Sequence, residues 1–270
     1  MHKDYNTIQC NMKLKISEKP KKDIFLSIFN LLKTCSSIVT MIYKQNELYI
    51  QGMDKAHVCL FEIKLQSNWF DEYQPPDPEI TETVSIDSNI FCNILSIVEE
   101  KQTLCLWYEF EGQSDKFNID FRSEDKSGFS KFFNIPLADI DTELLEIPDV
   151  NYDVEFSIKA KKMCEITSQL LIFGDIMNIK CGEDEMFICC NGVNGEMTVK
   201  ISIDDLTEYS ISEGENLDIS YSLTYLSKMC MTTKLTSEIE FAVSAEYPLR
   251  IKYDFKNGSQ MLFFIAPKIE

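Results

Sequence analysis

Histidine is nearly missing from this chain: of 270 residues, only His2 and His57 carry an imidazole. That scarcity argues against a histidine-built zinc site and against a Ser-His-Asp triad, since both need an imidazole held among partners. The ten cysteines (Cys10, Cys35, Cys59, Cys92, Cys105, Cys164, Cys181, Cys189, Cys190 and Cys230) form no Cys-x-x-Cys pair. Most stand among Ile, Leu, Met and Phe, so they read as buried free thiols rather than as ligands or disulfides. No stretch approaches the roughly 20 apolar residues of a membrane helix. The opening "MHKDYNTIQCNMKLKI" lacks the apolar centre of a secretory signal, and the expectation is an intracellular protein. Nine glycines and eight prolines are too few for a low-complexity chain. Positive charge is also short, with 26 Lys and Arg against 44 Asp and Glu and a formal net charge of −18. On average that repels polyanions, but net charge does not say where the lysines lie.

What is present is an α+β pattern that repeats. Residues 23–35, "DIFLSIFNLLKTC", put Ile24, Ile28, Leu31 and Cys35 on one helical face. Strand-like "SIVTMIY" and "LYIQGM" follow, separated by the polar turn "KQNE". Residues 160–173, "AKKMCEITSQLLIF", again predict an amphipathic helix, followed by "IMNIKC", the turn "GEDE" and "MFICC". Two more helices are expected at 88–100 and 222–233, each preceding two strand-like runs. Asn257-Gly258 in "LRIKYDFKNGSQMLFF" predicts a tight hairpin of type I′, which needs positive φ at both central residues.

The pattern divides the chain into residues 1–135, a connector at 136–153, and residues 154–270. The connector is bracketed by Pro136 and Pro148 and mixes acids with Ile and Leu at neither a helical nor a strand period. Its Asp139, Asp141 and Glu143 have a spacing that could gather carboxylates around Mg²⁺, as in a metal-dependent nuclease. A solvated acidic loop accounts for the same residues without any metal. The run "MLFFIAPKIE" is unusual for a terminus, because a chain end that nothing holds is ordinarily polar and frayed.

Three segments carry a resemblance to the proliferating cell nuclear antigen family of DNA sliding clamps. "LYIQGMDKAHVCLFEIKL" (48–65) is similar to the family's Leu-Gln-x-Met-Asp-x-x-His-Val segment. "DIDTELLEIPDVNY" (139–152) resembles its interdomain connector, and "SAEYPLRIKY…FFIAPKIE" resembles its last strands and Ala-Pro-Lys-Ile-Glu ending. All three occur in the family's order and spacing.

The resemblance implies two clamp domains of one topology per chain, helices lining the hole of a homotrimeric ring and antiparallel sheets outside. It implies no cofactor, no metal, no catalytic residue and no membrane. The partners it implies are double-stranded DNA, bound without regard to sequence, a DNA polymerase, a clamp loader and other proteins carrying a short docking peptide. Localisation would be nuclear, or at a cytoplasmic replication site for a viral protein. Residue by residue, the peptide groove becomes Met53, His57, Val58, Leu145, Ile147, Pro248, Phe264 (often Tyr in the family) and Ala266. The channel lysines become Lys21, Lys22, Lys33, Lys159, Lys161, Lys162, Lys228 and Lys234. The subunit edges become residues 129–137 with Phe133 and 193–201 with Val199. Several family positions depart from the pattern: basic channel sites are matched by Asn93, Ser96, Glu165 and Ser168, and the family's modified lysine by Glu183. Within the same fold, a checkpoint-type clamp subunit or a clamp-like transcription accessory factor is the alternative.

Overall fold

The computed structural model describes residues 12–75, 82–109, 115–123, 128–140, 143–212, 214 and 216–268. Its contacts divide the chain into two compact units. The first takes the chain through Gln51 together with Ile63–Glu143 and Asn257–Ser259; the second takes Gly52–Glu62, Leu144–Lys256 and the residues from Gln260 onward.

The first unit contains one antiparallel sheet ordered β5-β1-β7-β8-β9, made of Glu72–Gln74, Met12–Ile16, Gln102–Tyr108, Lys116–Ser123 and Lys131–Pro136. Further strands run in the order β4-β3-β2-β6: β2 at Ile38–Tyr43 and β6 at Glu82–Asp87 belong to this unit, while β3 at Glu47–Met53 and β4 at Cys59–Gln66 have residues in both units. Two helices, α1 (Lys19–Cys35) and α2 (Ser88–Leu95), pack together. Their apolar spacing buries Phe25, Phe29 and Phe91 completely, and the Phe29 and Phe91 rings meet edge to face at 4.7 Å.

The second unit repeats the scheme. One sheet is ordered β13-β12-β11-β15, made of Gly195–Ser202, Glu185–Gly192, Ile176–Cys181 and Leu217–Ser222. The other runs β14-β10-β16-β17-β18, made of Glu208–Ile211, Val154–Lys159, Glu238–Val243, Leu249–Asp254 and Gln260–Ile265. Helices α3 (Ala160–Leu170) and α4 (Leu223–Cys230) pack together over buried Met163, Leu170, Leu226 and Met229.

All four expected helices form, with shifted ends. α1 starts four residues early because Pro20 suits a first helical turn, where its missing N–H leaves no bond unmade. α2 is capped by Asp87, whose carboxylate accepts the N–H groups of Asn89 and Ile90 at 2.9 Å. It stops at Leu95 because Ile97 and Val98 turn into tighter i,i+3 bonds to Ile94 and Leu95. α3 ends three residues early and α4 likewise, at Leu170 and Cys230. The hairpin at Asn257-Gly258 is wider than the sequence predicts. Three consecutive residues, Lys256, Asn257 and Gly258, have φ of 71°, 52° and 81°. Five residues separate β17 from β18, so the loop is not a two-residue type I′ turn.

Nine described cysteines are free; Cys164 and Cys189 are partly accessible and the other seven are buried. Burial pushes the thiol of Cys92 up to about 11 and that of Cys181 up to about 12.

Candidate functional site

The loop between β3 and β4 is organised by one carboxylate. Asp54 is 7% exposed. Its Oδ1 accepts the N–H groups of Val58 at 2.8 Å and Cys59 at 2.7 Å, and its Oδ2 that of Ala56 at 3.0 Å. A fourth bond comes from α4, where the Tyr225 hydroxyl donates to Oδ2 at 2.6 Å. Burial alone would raise the Asp54 carboxyl; the bonds from Tyr225 and the three backbone amides outweigh it and hold the group below its ordinary value. His57 is exposed at the tip with φ of 57°, a left-handed conformation that a non-glycine residue keeps only when its neighbours fix it.

The run after β18 is tied down by backbone. Ala266 N–H donates to Val58 O at 3.0 Å, Tyr221 and Pro267 form an antiparallel bridge, and Lys268 N–H donates to Ser220 O at 2.8 Å. This explains the apolar ending through Lys268; Ile269 and Glu270 lie outside the described residues. On β18, Phe263 and Ile265 are buried, while Phe264 points the other way, half-buried, from a position opposite Arg250 of β17. Pro248 is exposed just before β17, and Met53 is half-buried at the end of β3. In the connector, Leu145 is 47% exposed, Leu144 48%, and Ile147 half-buried. Of the eight groove residues, a hydrogen bond joins Val58 directly to Ala266. Sequence reasoning missed Asp54 and Tyr225; an aspartate followed by a tight loop was the local signal for the first.

The lysines assigned to a channel separate into engaged and free groups. Lys22 is 4% exposed and does not face solvent. It donates to the carbonyl oxygens of Glu99 at 3.0 Å, Glu100 at 2.8 Å and Gln102, so it serves the loop after α2 and is withdrawn from the channel set. Burial holds its pKa below the usual lysine value. Lys21 bridges Glu18 and Asp71, each at 3.5 Å. Lys33 is half-buried in the last turn of α1. Lys159, Lys161, Lys162, Lys228 and Lys234 are exposed on or beside α3 and α4. Asn93, Ser96, Glu165 and Ser168 are exposed as well.

Most sheet edges are short or covered. β6 is met by the connector through Ala138 N–H to Ser85 O at 2.8 Å, and β15 by the tail through Lys268. β5 and β14 have three and four residues. The longer edges β9 and β13 pair only with β8 and β12 among the described residues. Phe133 on β9 turns inward onto Phe121, ring centroids 5.1 Å apart, whereas Phe132 is 68% exposed. Val199 is half-buried on β13.

Among the described residues no three carboxylate, cysteine or histidine side chains are placed to hold a metal ion. Asp139 and Glu143 are exposed, and Asp141 lies outside the described residues. No described helix is long and apolar enough to cross a membrane.

The sequence matches the family described as proliferating cell nuclear antigen, N-terminal domain, over residues 17–144, and the corresponding C-terminal domain over 146–268. It is 28% identical over 255 residues to "Proliferating cell nuclear antigen 2" of Plasmodium falciparum, covering 91% of this chain and 95% of that protein. It is 27% identical to "Proliferating cell nuclear antigen" of Chaetomium thermophilum, covering 82% and 85% of the two chains. It is 25% identical to the "DNA polymerase sliding clamp" of Methanococcus maripaludis strain C5, covering 91% and 96%. Two matched domains in the right order on a doubled helix-and-sheet framework lead to one conclusion: the chain belongs to the proliferating cell nuclear antigen family and is a DNA sliding clamp, a processivity factor.

Proposed function

We propose that three copies of this chain close into a ring around duplex DNA and keep a DNA polymerase on its template without catalysing a reaction themselves. The observation that carries this reading is the pair of edges, β9 and β13, that no further strand covers among the described residues. An exposed edge strand is a liability unless another chain covers it. Joining β9 of one copy to β13 of the next is a head-to-tail contact, which repeats until the ring closes. Phe132 and Phe133 project from opposite faces of β9, so a neighbour's strand meets an aromatic on either side.

A closed ring holds DNA by topology, so the free lysines need only weak, sequence-independent contacts with phosphates. The groove residues around Phe264 and Ile147 receive a short helical turn with aromatic and aliphatic anchors, carried on a peptide of the polymerase, the clamp loader and other replication or repair proteins. Exposed Glu146, Asp149 and Glu246 favour basic residues beside those anchors. The place of work is wherever DNA is replicated, in a nucleus or at a cytoplasmic replication site. Light scattering at micromolar concentration tests the assembly. The expected mass is three times the 31.3 kDa chain, and a dominant monomer would sink the proposal.

A further inference from the structure

We propose that Tyr225, on a helix outside the partner groove, is a positioning residue for that groove. Its hydroxyl fixes Asp54, and Asp54 fixes the loop from Met53 to Val58. The inference rests on the reading of these residues as a peptide-docking groove and adds a member that neither the motif nor the groove surface contains.

Asp54 holds its loop by three backbone N–H groups, all within five residues of it in sequence. Those bonds set the shape of the loop but not its location. Among the described residues, the hydrogen bond that ties the carboxylate to a different element is the 2.6 Å one from Tyr225, 171 residues away. A carboxylate so buried has little water to replace a lost donor, so removing the hydroxyl leaves an oxygen under-satisfied rather than resolvated. The loop also keeps His57 in a left-handed conformation and presents the Val58 carbonyl to Ala266. A loop displaced at Asp54 therefore displaces the tail that carries the other wall of the groove. Tyr225 itself is half-buried, with the Lys228 ammonium 5.8 Å from its ring centre, and α4 is packed on α3. The hydroxyl is thus held on a rigid element.

The test is a double-mutant cycle on the full-length protein with Tyr225→Phe, Asp54→Ala and both together. A synthetic Gln-x-x-aliphatic-x-x-aromatic-aromatic peptide is titrated by calorimetry, and amide hydrogen exchange is followed at residues 56–59. Tyr225→Phe keeps the ring and should preserve assembly mass. It should weaken the peptide about fivefold or more and speed exchange at Val58 and Cys59. Asp54→Ala should weaken it further, and the double variant should be no worse than Asp54→Ala alone, the signature of one hydroxyl acting through one carboxylate. Wild-type affinity and unchanged exchange in Tyr225→Phe would overturn the inference, as would effects that multiply in the double variant. If the wild type binds no such peptide, the groove reading fails, and the exchange data still decide whether Tyr225 positions the loop.

Discussion

The two helix pairs share a framework and differ in what they show to solvent. Toward the last turns of α1, and on α2 and the residue after it, the exposed or half-exposed positions include Asn30, Lys33, Thr34, Asn89, Ile90, Asn93 and Ser96. The other lysines of that pair are engaged: Lys22 with three carbonyls, Lys21 with Glu18 and Asp71, Lys19 with Glu100 at 2.9 Å. Around α3 and α4, five lysines face water and one glutamate, Glu165, interrupts them. Three of those lysines, Lys159, Lys161 and Lys162, sit at the start of α3, where the helix dipole disfavours positive charge. The fold does not ask for them there. Inward residues repeat because packing constrains them, while outward residues drift between structural and solution roles. A lysine count along a helix is therefore a poor measure of a basic surface until each ammonium has been traced to its partner.

Three comparisons between variants would break or sharpen this contrast. The largest effect is expected at Lys22→Ala, which strands three carbonyl oxygens and should cost about 2–3 kcal/mol of stability. Lys162→Ala, exposed on α3, should stay within about 0.5 kcal/mol. Denaturant melts of the two variants compare them directly, and equal losses would erase the distinction between engaged and free lysines. Next comes Lys161→Glu with Lys162→Glu. It should lower the slope of log K against log salt for a short duplex by about 2, against about 1 for Lys33→Glu, since each neutralised phosphate contributes about 0.9. A larger change for Lys33→Glu would move the phosphate contacts to the first unit. The smallest change is a gain. Asn93→Lys should raise that slope by no more than about 0.9 while leaving the melt unaffected. A steeper gain would mean that the first unit already touches the duplex.

Secondary structure was legible wherever the apolar period was strong, and all four helices were found from it. Their ends were not, because Pro20 at a first turn and the tight i,i+3 bonds after α2 act over a few residues and leave little periodic trace. The segments proposed to form the groove were visible only through the family resemblance. Lys22 was misassigned because its partners are backbone oxygens near residue 100, and sequence carries no mark of a carbonyl left over at a helix end. A strand forms at Lys131–Pro136, inside the expected 129–137, yet its exposed aromatic is Phe132; Phe133 is paired with Ile119 and packs its ring on Phe121. Tyr225 and Asp54 could not be paired by any local rule at a separation of 171 residues.

The thiols have a practical consequence. With Cys92 and Cys181 raised by burial, and seven of the nine described cysteines buried, a neutral alkylating reagent has two targets of choice, Cys164 on α3 and Cys189 on β12. Both belong to the second unit, and they lie on different elements of it. Among the described cysteines, the native protein thus carries a reporter on the helix that bears the free lysines and another one strand in from an uncovered edge. The proposed ring predicts that duplex masks the first and a neighbouring copy the second, and both effects would be read in one mass spectrum, with no engineered label.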